Sequence, residues 1–364
     1  MESTIEMNQF QAKVMPIESV PLVSVVVITY NHARYIRQAL GSVLCQQTLF
    51  DFEILIGEDE SSDGTREIVT DYMNRFPDKI NVIYHQRKDI IYINGRPSAA
   101  YNFFDTLAHA RGRYIAYLDG DDYWTDPFKL QKQVDIMEMR SDLAMCGHWV
   151  VNVDQDGLTA NVKSCTGLDC PREFSTSNAL SSTPVHPNSW LFRRFDVQNH
   201  SAYSLISNLP AGDDSMALVL LSMGNGYCIP EVMSAYRLHN GGTWSVKSRI
   251  RKNFEMLQFR VVLPSLVKSK YLPLIIWSSS FYLLVFFVHL IKVVFADDRK
   301  DSFREFFQLY RAQSILNPTT LLGWCLVTAI LAPLHVTTFA VRRITLIAPR
   351  LMRFPKIFLK ENND

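Results

Sequence analysis

The sequence predicts an α/β protein whose central sheet is mostly parallel and covered by helices. Three observations predict it: apolar runs rich in β-branched residues, amphipathic segments between them, and polar loops where the runs end. Continuous apolar runs are typical of strands buried on both faces, and strands that alternate with helices form parallel sheets. With 48% hydrophobic and 20% charged residues, the composition is that of a globular protein.

The alternation is regular over the first 120 residues and weaker afterwards. The predicted strands cover 22–29, 52–58, 81–85 and 113–119, and the predicted helices cover 33–47, 63–76, 98–112, 126–139 and 213–224. Between the last two helices, residues 142–195 mix short β-like runs with polar turns. Residues 227–245 are predicted as a strand pair with a Gly-rich loop.

Composition divides the chain into three parts. Residues 1–20 are predicted to be a leader, 21–246 the α/β domain, and 247–364 a helical region associated with a membrane. In that last region, the stretches 271–291 and 321–341 contain almost no charge and have the length of a bilayer-spanning helix. Three interpretations of this region remain open: two membrane-spanning helices, a helical appendage on the membrane surface, and a soluble helical extension.

Bulk charge and the cysteines exclude several classes of protein. Lys and Arg number 37 and Asp and Glu number 36, so the chain lacks the basic excess of nucleic-acid-binding proteins. The six cysteines are scattered, without the spacing of a zinc site or a disulfide framework. The first 20 residues lack the apolar core of a secretory signal, so we expect a cytoplasmic catalytic part.

Three carboxylates follow the predicted strand 113–119 within four positions, at Asp119, Asp121 and Asp122. Ligands of parallel sheets bind beyond the carboxyl ends of the strands. Carboxylates at that edge suit Mg²⁺ or Mn²⁺, which share oxygen ligands between the protein and a phosphate-bearing substrate. A solvated turn would explain one of these acids, and Asp122 is the one that a turn explains best.

Further polar groups lie in other loops. Asp59 follows the strand 52–58, where a carboxylate can accept hydrogen bonds from a ribose or a base. Asp213 and Asp214 lie at the start of a predicted helix. One of them could act as a general base, or both could simply be favourable charges at the positive end of the helix dipole. His239 is a candidate metal or phosphate ligand, although a single His is more often a packed side chain.

The order of these segments resembles the family 2 glycosyltransferases with the GT-A fold. The resemblance covers about 20–245 through "SVVVITYNHARYIRQALGSVLCQQ", "FEILIGEDESSDGT", "GRYIAYLDGDDYW" and "GDDSMALVLLSMGNGYCIPEVMSAYRLHNGGTWS". It implies a Rossmann-like GT-A sandwich with a mostly parallel central sheet, followed here by a helical C-terminal extension. It also implies an inverting enzyme that uses a nucleotide-activated sugar.

The resemblance implies roles for residues around the nucleotide. Thr29, Tyr30 and Asn31 match the loop after the first strand that packs around the nucleotide. Asp59 matches the acid that recognises uracil or another base, and Glu58 lies beside it.

The resemblance also implies the reacting groups. Asp119 and Asp121 match the DXD motif, with Asp119 toward the ribose and metal and Asp121 on the divalent metal. His239 matches a basic position near the diphosphate. Asp213 matches the catalytic base, but a glycine stands where the family usually has Glu and a second acid follows, so Asp213 and Asp214 both remain candidates.

The predicted function is metal-dependent transfer of a hexose from a nucleotide-diphosphate sugar, with UDP expected, to a hydroxyl of a glycan or lipid-linked acceptor. Mn²⁺ or Mg²⁺ is the expected cofactor, surface polysaccharide synthesis the expected role, and the cytoplasmic face of the membrane the expected location. The alternatives are a nucleotidyltransferase on a similar domain and a non-catalytic protein that binds sugar nucleotides. The chain lacks the Gly-rich triphosphate loop expected of the first alternative.

Overall fold

The computed structural model describes residues 20–94, 96–158, 165–166, 172–180, 184–200, 203–209, 212–242, 247–267, 269–280 and 283. Within these ranges the strands are β1 Val23–Thr29, β2 Phe52–Glu58, β3 Ile80–Tyr84, β4 Ile91–Ile93, β5 Arg96–Ser98, β6 Tyr114–Asp119, β7 Tyr123–Trp124, β8 Leu143–Val153, β9 Cys165–Thr166, β10 Glu173–Phe174, β11 Leu191–Arg193 and β12 Asn225–Arg237. The helices are α1 Ile36–Leu44, α2 Thr65–Arg75, α3 Ala100–Ala108, α4 Lys129–Met139, α5 Thr176–Ala179, α6 Tyr203–Ile206, α7 Gly212–Met223 and α8 Arg249–Leu266.

The main sheet contains ten of the described strands, in the order β10-β12-β8-β11-β6-β1-β2-β3, with β7 on β12 and β9 on β8. The neighbours β6, β1, β2 and β3 run parallel, as do β8 and β12. Strand β11 is antiparallel to both β6 and β8 and joins the two parallel blocks. The predicted mostly parallel sheet is therefore confirmed, with short antiparallel strands added to it.

Every residue of β1 and β2 is buried, as expected for strands that are covered on both faces. Alternate side chains of β1 contribute to two cores, because successive residues of a strand point to opposite faces. Val25 and Val27 pack in the core that contains Leu40 of α1, whereas Val26 packs in the core that contains Leu107 of α3. The sheet is thus sandwiched between two helical layers.

Two sequence predictions are wrong within the described residues. The segment 227–245 contains a single 13-residue strand, β12, rather than a strand pair. Pro230 cannot donate to a ladder hydrogen bond, and the register of β12 against β8 shifts between Ile229 and Val232, so a bulge absorbs the proline. The segment 142–195 contains short strands as predicted, namely β9, β10 and β11, but the 11-residue strand β8 near its start was missed.

The predicted membrane stretches fall mostly outside the described residues. Residues 272–280 are helical, whereas the rest of 271–291 beyond them is described only at Leu283 and all of 321–341 lies outside. In the part of the chain that the structure describes, no helix is both long and apolar enough to cross a bilayer.

Candidate active site

The carboxyl ends of β1, β2 and β6 meet at one edge of the sheet, which brings the predicted site loops together. Asp119 is the last residue of β6, and its neighbour across the ladder is Ile28 of β1. The Asp59 N–H donates to the Thr29 carbonyl at 3.1 Å, which joins the loops after β2 and β1. The structure therefore places the polar loops after these three strands around one crevice.

Gly120 allows the acid turn, which we define as residues 119–122, to approach the first strand closely. Its N–H donates to the Ile28 carbonyl at 2.9 Å. A Cβ at this position would lie 2.8 Å from Oγ1 of Thr29 and 2.9 Å from Nδ1 of His32, both too close for real Cβ atoms. A side chain here would push the turn away from the crevice.

Asp122 has a structural role in this turn. Its carboxylate accepts hydrogen bonds from Nδ2 of Asn188 and from the Arg237 N–H, each at 2.8 Å, and its surface is 1% exposed. Both carboxylate oxygens are thus engaged by the protein. The third acid ties the turn to β12 and does not face a ligand.

Asp121 lies between two imidazole rings. Its Oδ2 is 2.8 Å from Nε2 of His239 and 3.6 Å from Nε2 of His32. The Gly241 N–H donates to Nδ1 of His239 at 3.2 Å, so the neutral ring carries its proton on Nε2 and donates it to Asp121. Burial opposes ionisation, but His32 and His239 together hold the pKa of Asp121 below its usual range.

Asp119 is held by a neighbouring tyrosine. The Tyr117 hydroxyl donates to Oδ1 of Asp119 at 2.6 Å. Burial and then the negative charge of Asp121 raise the pKa of Asp119 well above its usual value, and Asp213 acts in the same direction. Carboxylates packed this closely repel one another until a cation is bound between them.

The chemistry of these groups fits a divalent metal together with a diphosphate. Carboxylate oxygens of Asp119 and Asp121 are donors that Mn²⁺ accepts. The imidazole of His239 can join them as a ligand when Nε2 releases the proton that it donates to Asp121. Among the described residues, no three His, Cys, Asp or Glu side chains stand close enough to form a complete metal site. Metals at phosphate-transfer sites commonly take further oxygen ligands from the substrate and from water.

The predicted nucleotide loop has one exposed aromatic ring. Tyr30 is 39% exposed, and the Arg87 guanidinium lies 4.1 Å from the centroid of its ring. The same guanidinium pairs with Oδ2 of Asp59 at 2.9 Å. Burial raises the pKa of Asp59, while Arg87 acts against this shift. A flat apolar surface, a carboxylate and a guanidinium together form a platform for a planar heterocycle.

The other residues predicted around the nucleotide support this platform. Thr29 is buried, with Oγ1 3.3 Å from Nδ1 of His32. Asn31 has a φ of 54° and accepts a hydrogen bond from the Ser62 N–H. Glu58 is fully buried, and its carboxylate accepts hydrogen bonds from the Ser61 N–H and from Arg66. These contacts fix the loops after β1 and β2.

Asp213 and Asp214 lie in the first turn of α7, and Asp213 lines a cavity of about 580 Å³. The pKa of Asp213 is raised to about 6, first by removal of water on burial and then by Asp214, whereas Lys247 lowers it. The residue is nevertheless solvent-exposed, so water can reach it. A bound donor would displace that water and increase the shift.

The sequence analysis missed several residues of this crevice. Arg87 has no motif of its own, because its relevance depends on partners that only the fold brings near. Tyr117 lies within the quoted segment "GRYIAYLDGDDYW", but its apolar neighbours indicated only a buried strand. Arg237 was missed for the same reason as Arg87: its Nε donates to the Asp121 carbonyl at 2.9 Å. His32 had a signal, since it closes the quoted loop "TYNH" after β1.

The comparison with known proteins agrees with this geometry. The model of glycosyl transferase family 2 matches residues 24–199. TuaG of Bacillus subtilis, described as a putative teichuronic acid biosynthesis glycosyltransferase, is 30% identical over 234 residues, which cover 64% of this chain and 85% of TuaG. The chain belongs to the family 2 glycosyltransferases. The predicted family is thus confirmed.

This family 2 glycosyltransferase also matches other relatives, but only over part of their length. An uncharacterized protein of Mycobacterium tuberculosis is 32% identical over 231 residues, which cover 64% of this chain and 63% of that protein. An uncharacterized glycosyltransferase of Nostoc is 36% identical over 222 residues, which cover 65% of it. The chain thus spans slightly less than two thirds of these relatives.

Solved structures establish the fold of this family member. Residues 1–349 of TarS from S. aureus, in complex with UDP-GlcNAc, match 72% of this chain and 71% of that one at a TM-score of 0.51 and 17% identity. The mannosyltransferase PcManGT from Pyrobaculum calidifontis, in complex with GDP-Man and Mn²⁺, matches 88% of this chain and 89% of its own chain, at a TM-score of 0.50 and 18% identity. The predicted GT-A sandwich with C-terminal helices is confirmed.

Proposed function

We propose that this chain is a metal-dependent inverting glycosyltransferase that takes a sugar from a nucleotide-diphosphate donor, with UDP the expected nucleotide. The single observation that supports the proposal is that Tyr117 joins the two groups of acids, because its hydroxyl donates to Asp119 and its side chain lines the same cavity as Asp213. One part of the crevice suits a metal diphosphate, and the other presents a carboxylate of raised pKa. A single displacement needs these two parts and no covalent enzyme intermediate.

The donor is expected to lie across the loops after β1, β2 and β6. The nucleobase of the donor would contact Tyr30 and Asp59. To make room for it, Arg87 has to move away from the tyrosine ring or stack on the nucleobase. Asp119, Asp121 and His239 would hold the divalent metal. When bound, that metal would stabilise the negative charge that develops on the leaving diphosphate.

The acceptor hydroxyl loses its proton to a carboxylate as it attacks the anomeric carbon. Asp213 is the better candidate for this base, because it lines the cavity and its pKa is raised toward neutrality. Asp214 would act through its charge on Asp213. Attack from the side opposite the leaving diphosphate inverts the anomeric configuration.

The acceptor and cellular place rest on chemistry and on relatives. TuaG is described as a putative teichuronic acid biosynthesis glycosyltransferase, and the TarS and PcManGT structures hold UDP-GlcNAc and GDP-Man. We therefore propose a glycan or lipid-linked acceptor in surface polysaccharide synthesis. The C-terminal region 247–364, which the sequence predicts to be helical, would place the enzyme at the cytoplasmic face of the membrane.

The product test separates this proposal from its rivals. The full-length protein is incubated with UDP- and GDP-sugars, Mn²⁺ and acceptor fractions of glycan and lipid, and the released nucleotide is identified by chromatography. Sugar transfer with release of nucleoside diphosphate supports the proposal. Released pyrophosphate would instead identify a nucleotidyltransferase, and donor binding without any product would identify a binding protein.

A further inference from the structure

The cavity beside Asp213 extends well beyond the space that the acid turn encloses. Its volume of about 580 Å³ lies in the range of roughly 300–1,000 Å³ that is typical of small-molecule sites. It runs from Asp213 on α7 to the hairpin of β4 and β5, with α3 and α8 as further walls. Asp213 is thus shared between the cavity and the proposed reaction centre.

Apolar side chains form a large part of the lining of this cavity. The described lining includes Ile93, Phe103, Phe104, Ile206, Leu209 and Met216, beside the polar Ser98 and Tyr117. Carbohydrate binding needs hydrogen-bonding groups for each buried hydroxyl, because an unpaired polar group is costly to bury. An apolar wall of this kind favours hydrocarbon over a chain of hydroxyl groups.

The charged residues of the cavity pair with one another at one side of it. Nζ of Lys247 lies 2.7 Å from Oε2 of Glu255, and Arg251 lies 3.5 Å from the other oxygen of the same carboxylate. Glu255 is 3% exposed. These paired charges lie on α8 and just before it, and Asp213 on α7 is the other charged side chain of the described lining.

Hydrogen bonds join the hairpin of β4 and β5 to α8, and these bonds fix the two walls of the cavity relative to each other. Nδ2 of Asn94 donates to Oε1 of Gln258 at 2.6 Å, and Nε2 of Gln258 donates back to Oδ1 of Asn94 at 3.1 Å. Asn94 turns the hairpin with a φ of 51°. This reciprocal pair holds Ile93 against the cavity.

We propose that the cavity binds an apolar group of the acceptor, so that the acceptor is an amphiphile with its reactive hydroxyl at Asp213. This inference rests on the proposed function and narrows its acceptor from a glycan or lipid-linked molecule to a hydroxyl attached to hydrocarbon. The hydrocarbon is bound by Ile93, Phe104 and Met216, and removal of its apolar surface from water supplies affinity. A glycan without an apolar group gains nothing from this wall.

The test compares octyl β-glucoside, below its micelle concentration, with methyl β-glucoside by calorimetric titration of the full-length protein. Octyl glucoside is expected to bind at least tenfold more tightly. Ile93→Asp places a carboxylate in the apolar wall and is expected to abolish this advantage. The matched control is Tyr92→Asp, since Tyr92 is adjacent on β4, is 65% exposed and does not line the cavity.

A second variant and a donor titration make the result decisive. Ile93→Trp fills the cavity without adding a charge and is expected to reproduce the loss, while UDP with Mn²⁺ binds all variants equally. Equal affinities of the two glucosides for the native protein, or full octyl glucoside affinity in both Ile93 variants, would overturn the inference. Failure of both UDP and GDP to bind the native protein with Mn²⁺ would instead overturn the proposed function, and the glucoside comparison would still test the cavity.

Discussion

At the scale of single residues, the two acids that begin α7 have different surroundings. Asp213 lines the cavity, and its pKa is raised to about 6. A general base acts in its ionised form, so its activity is present above its pKa and lost below it. We expect kcat/KM to rise with pH up to about 6 and then to level off.

Substitution of each acid tests this assignment. Asp213→Asn is expected to lower kcat by about 10²–10⁴-fold on the plateau above pH 6, which is the usual contribution of a general base, and to remove the acid limb. Asp214→Asn removes the neighbouring negative charge, so the acid limb is expected to move to lower pH while the plateau rate is kept. The pH profile of kcat/KM measures both effects, and the opposite pattern would identify Asp214 as the base.

The site residues differ in how far sequence alone could reveal them. Asp119, Asp121 and Asp59 were predictable because acids that follow parallel strands are brought to one edge by the topology. Arg87 was not predictable, since its two contacts, to Tyr30 and to Asp59, depend on the three-dimensional position of a loop that carries no motif.

At the scale of secondary-structure elements, α3 packs against β2 through a glycine. A Cβ on Gly57 would overlap Oδ1 of Asn102 and Oγ1 of Thr106, and Nδ2 of Asn102 donates to the Gly57 carbonyl at 3.0 Å. We expect Gly57→Ala to lower the free energy of unfolding by about 1–3 kcal/mol, because overpacking forces the helix from the sheet. Urea unfolding of the purified protein measures the change.

A glycine in α1 is the matched control. A Cβ on Gly41 would meet no atom within 4 Å, and the residue lies inside the helix. Gly41→Ala is expected to raise the free energy of unfolding by about 0.5–1 kcal/mol, because alanine loses less backbone entropy on folding. Equal effects of the two substitutions would contradict this account of the α3–β2 packing.

The end of β12 secures the acid turn through Arg237. Its guanidinium donates to the Asp121 carbonyl at 2.9 Å, to the Gln155 carbonyl at 3.0 Å and to Oε1 of Gln38 at 2.6 Å, and the residue is 3% exposed. Arg237→Met leaves these acceptors without a donor. We expect the free energy of unfolding to fall by about 1–3 kcal/mol, the cost of one unsatisfied buried group, because Gln38 and Gln155 are exposed and water can replace the donor there.

An exposed arginine of the same face serves as the control. Arg34 pairs with Asp156, and both side chains are 57% exposed. Arg34→Met is expected to change the free energy of unfolding by less than about 1 kcal/mol, because water screens such pairs. A loss as large as that of Arg237→Met would show that burial is not what makes Arg237 important. Urea unfolding monitored by circular dichroism compares the two variants.

The elements also show where sequence patterns fail. The first four predicted strands were found because they are uninterrupted apolar runs bounded by polar loops. Strand β12 was misinterpreted because Pro230 and Glu231 interrupt its pattern, whereas the bulge lets the strand continue past them. In β8, Gly147 breaks the run, and the close approach of Val185 explains the glycine.

At the scale of the whole molecule, the sheet joins two parallel blocks through β11. The block of β6, β1, β2 and β3 presents the acid turn and the nucleotide loops. The block of β8 and β12 holds the acid turn from the other side, through Arg237 and His239. The site therefore depends on residues more than 100 positions apart. The acids after the parallel strands were predictable from the sequence, whereas the contacts that hold the acid turn in place were not.

The central claim is that the acid turn binds a nucleotide-sugar diphosphate through a divalent metal, and calorimetric titration of the full-length protein with UDP and GDP tests it most directly. With Mn²⁺ we expect at least one nucleotide to bind, and with a chelator we expect at least tenfold weaker binding. Asp121→Ala is expected to abolish the metal dependence, whereas Asp156→Ala, at an exposed acid, keeps it. Metal-dependent binding of undiminished affinity in Asp121→Ala, or equal affinity with and without metal in the native protein, would contradict the claim.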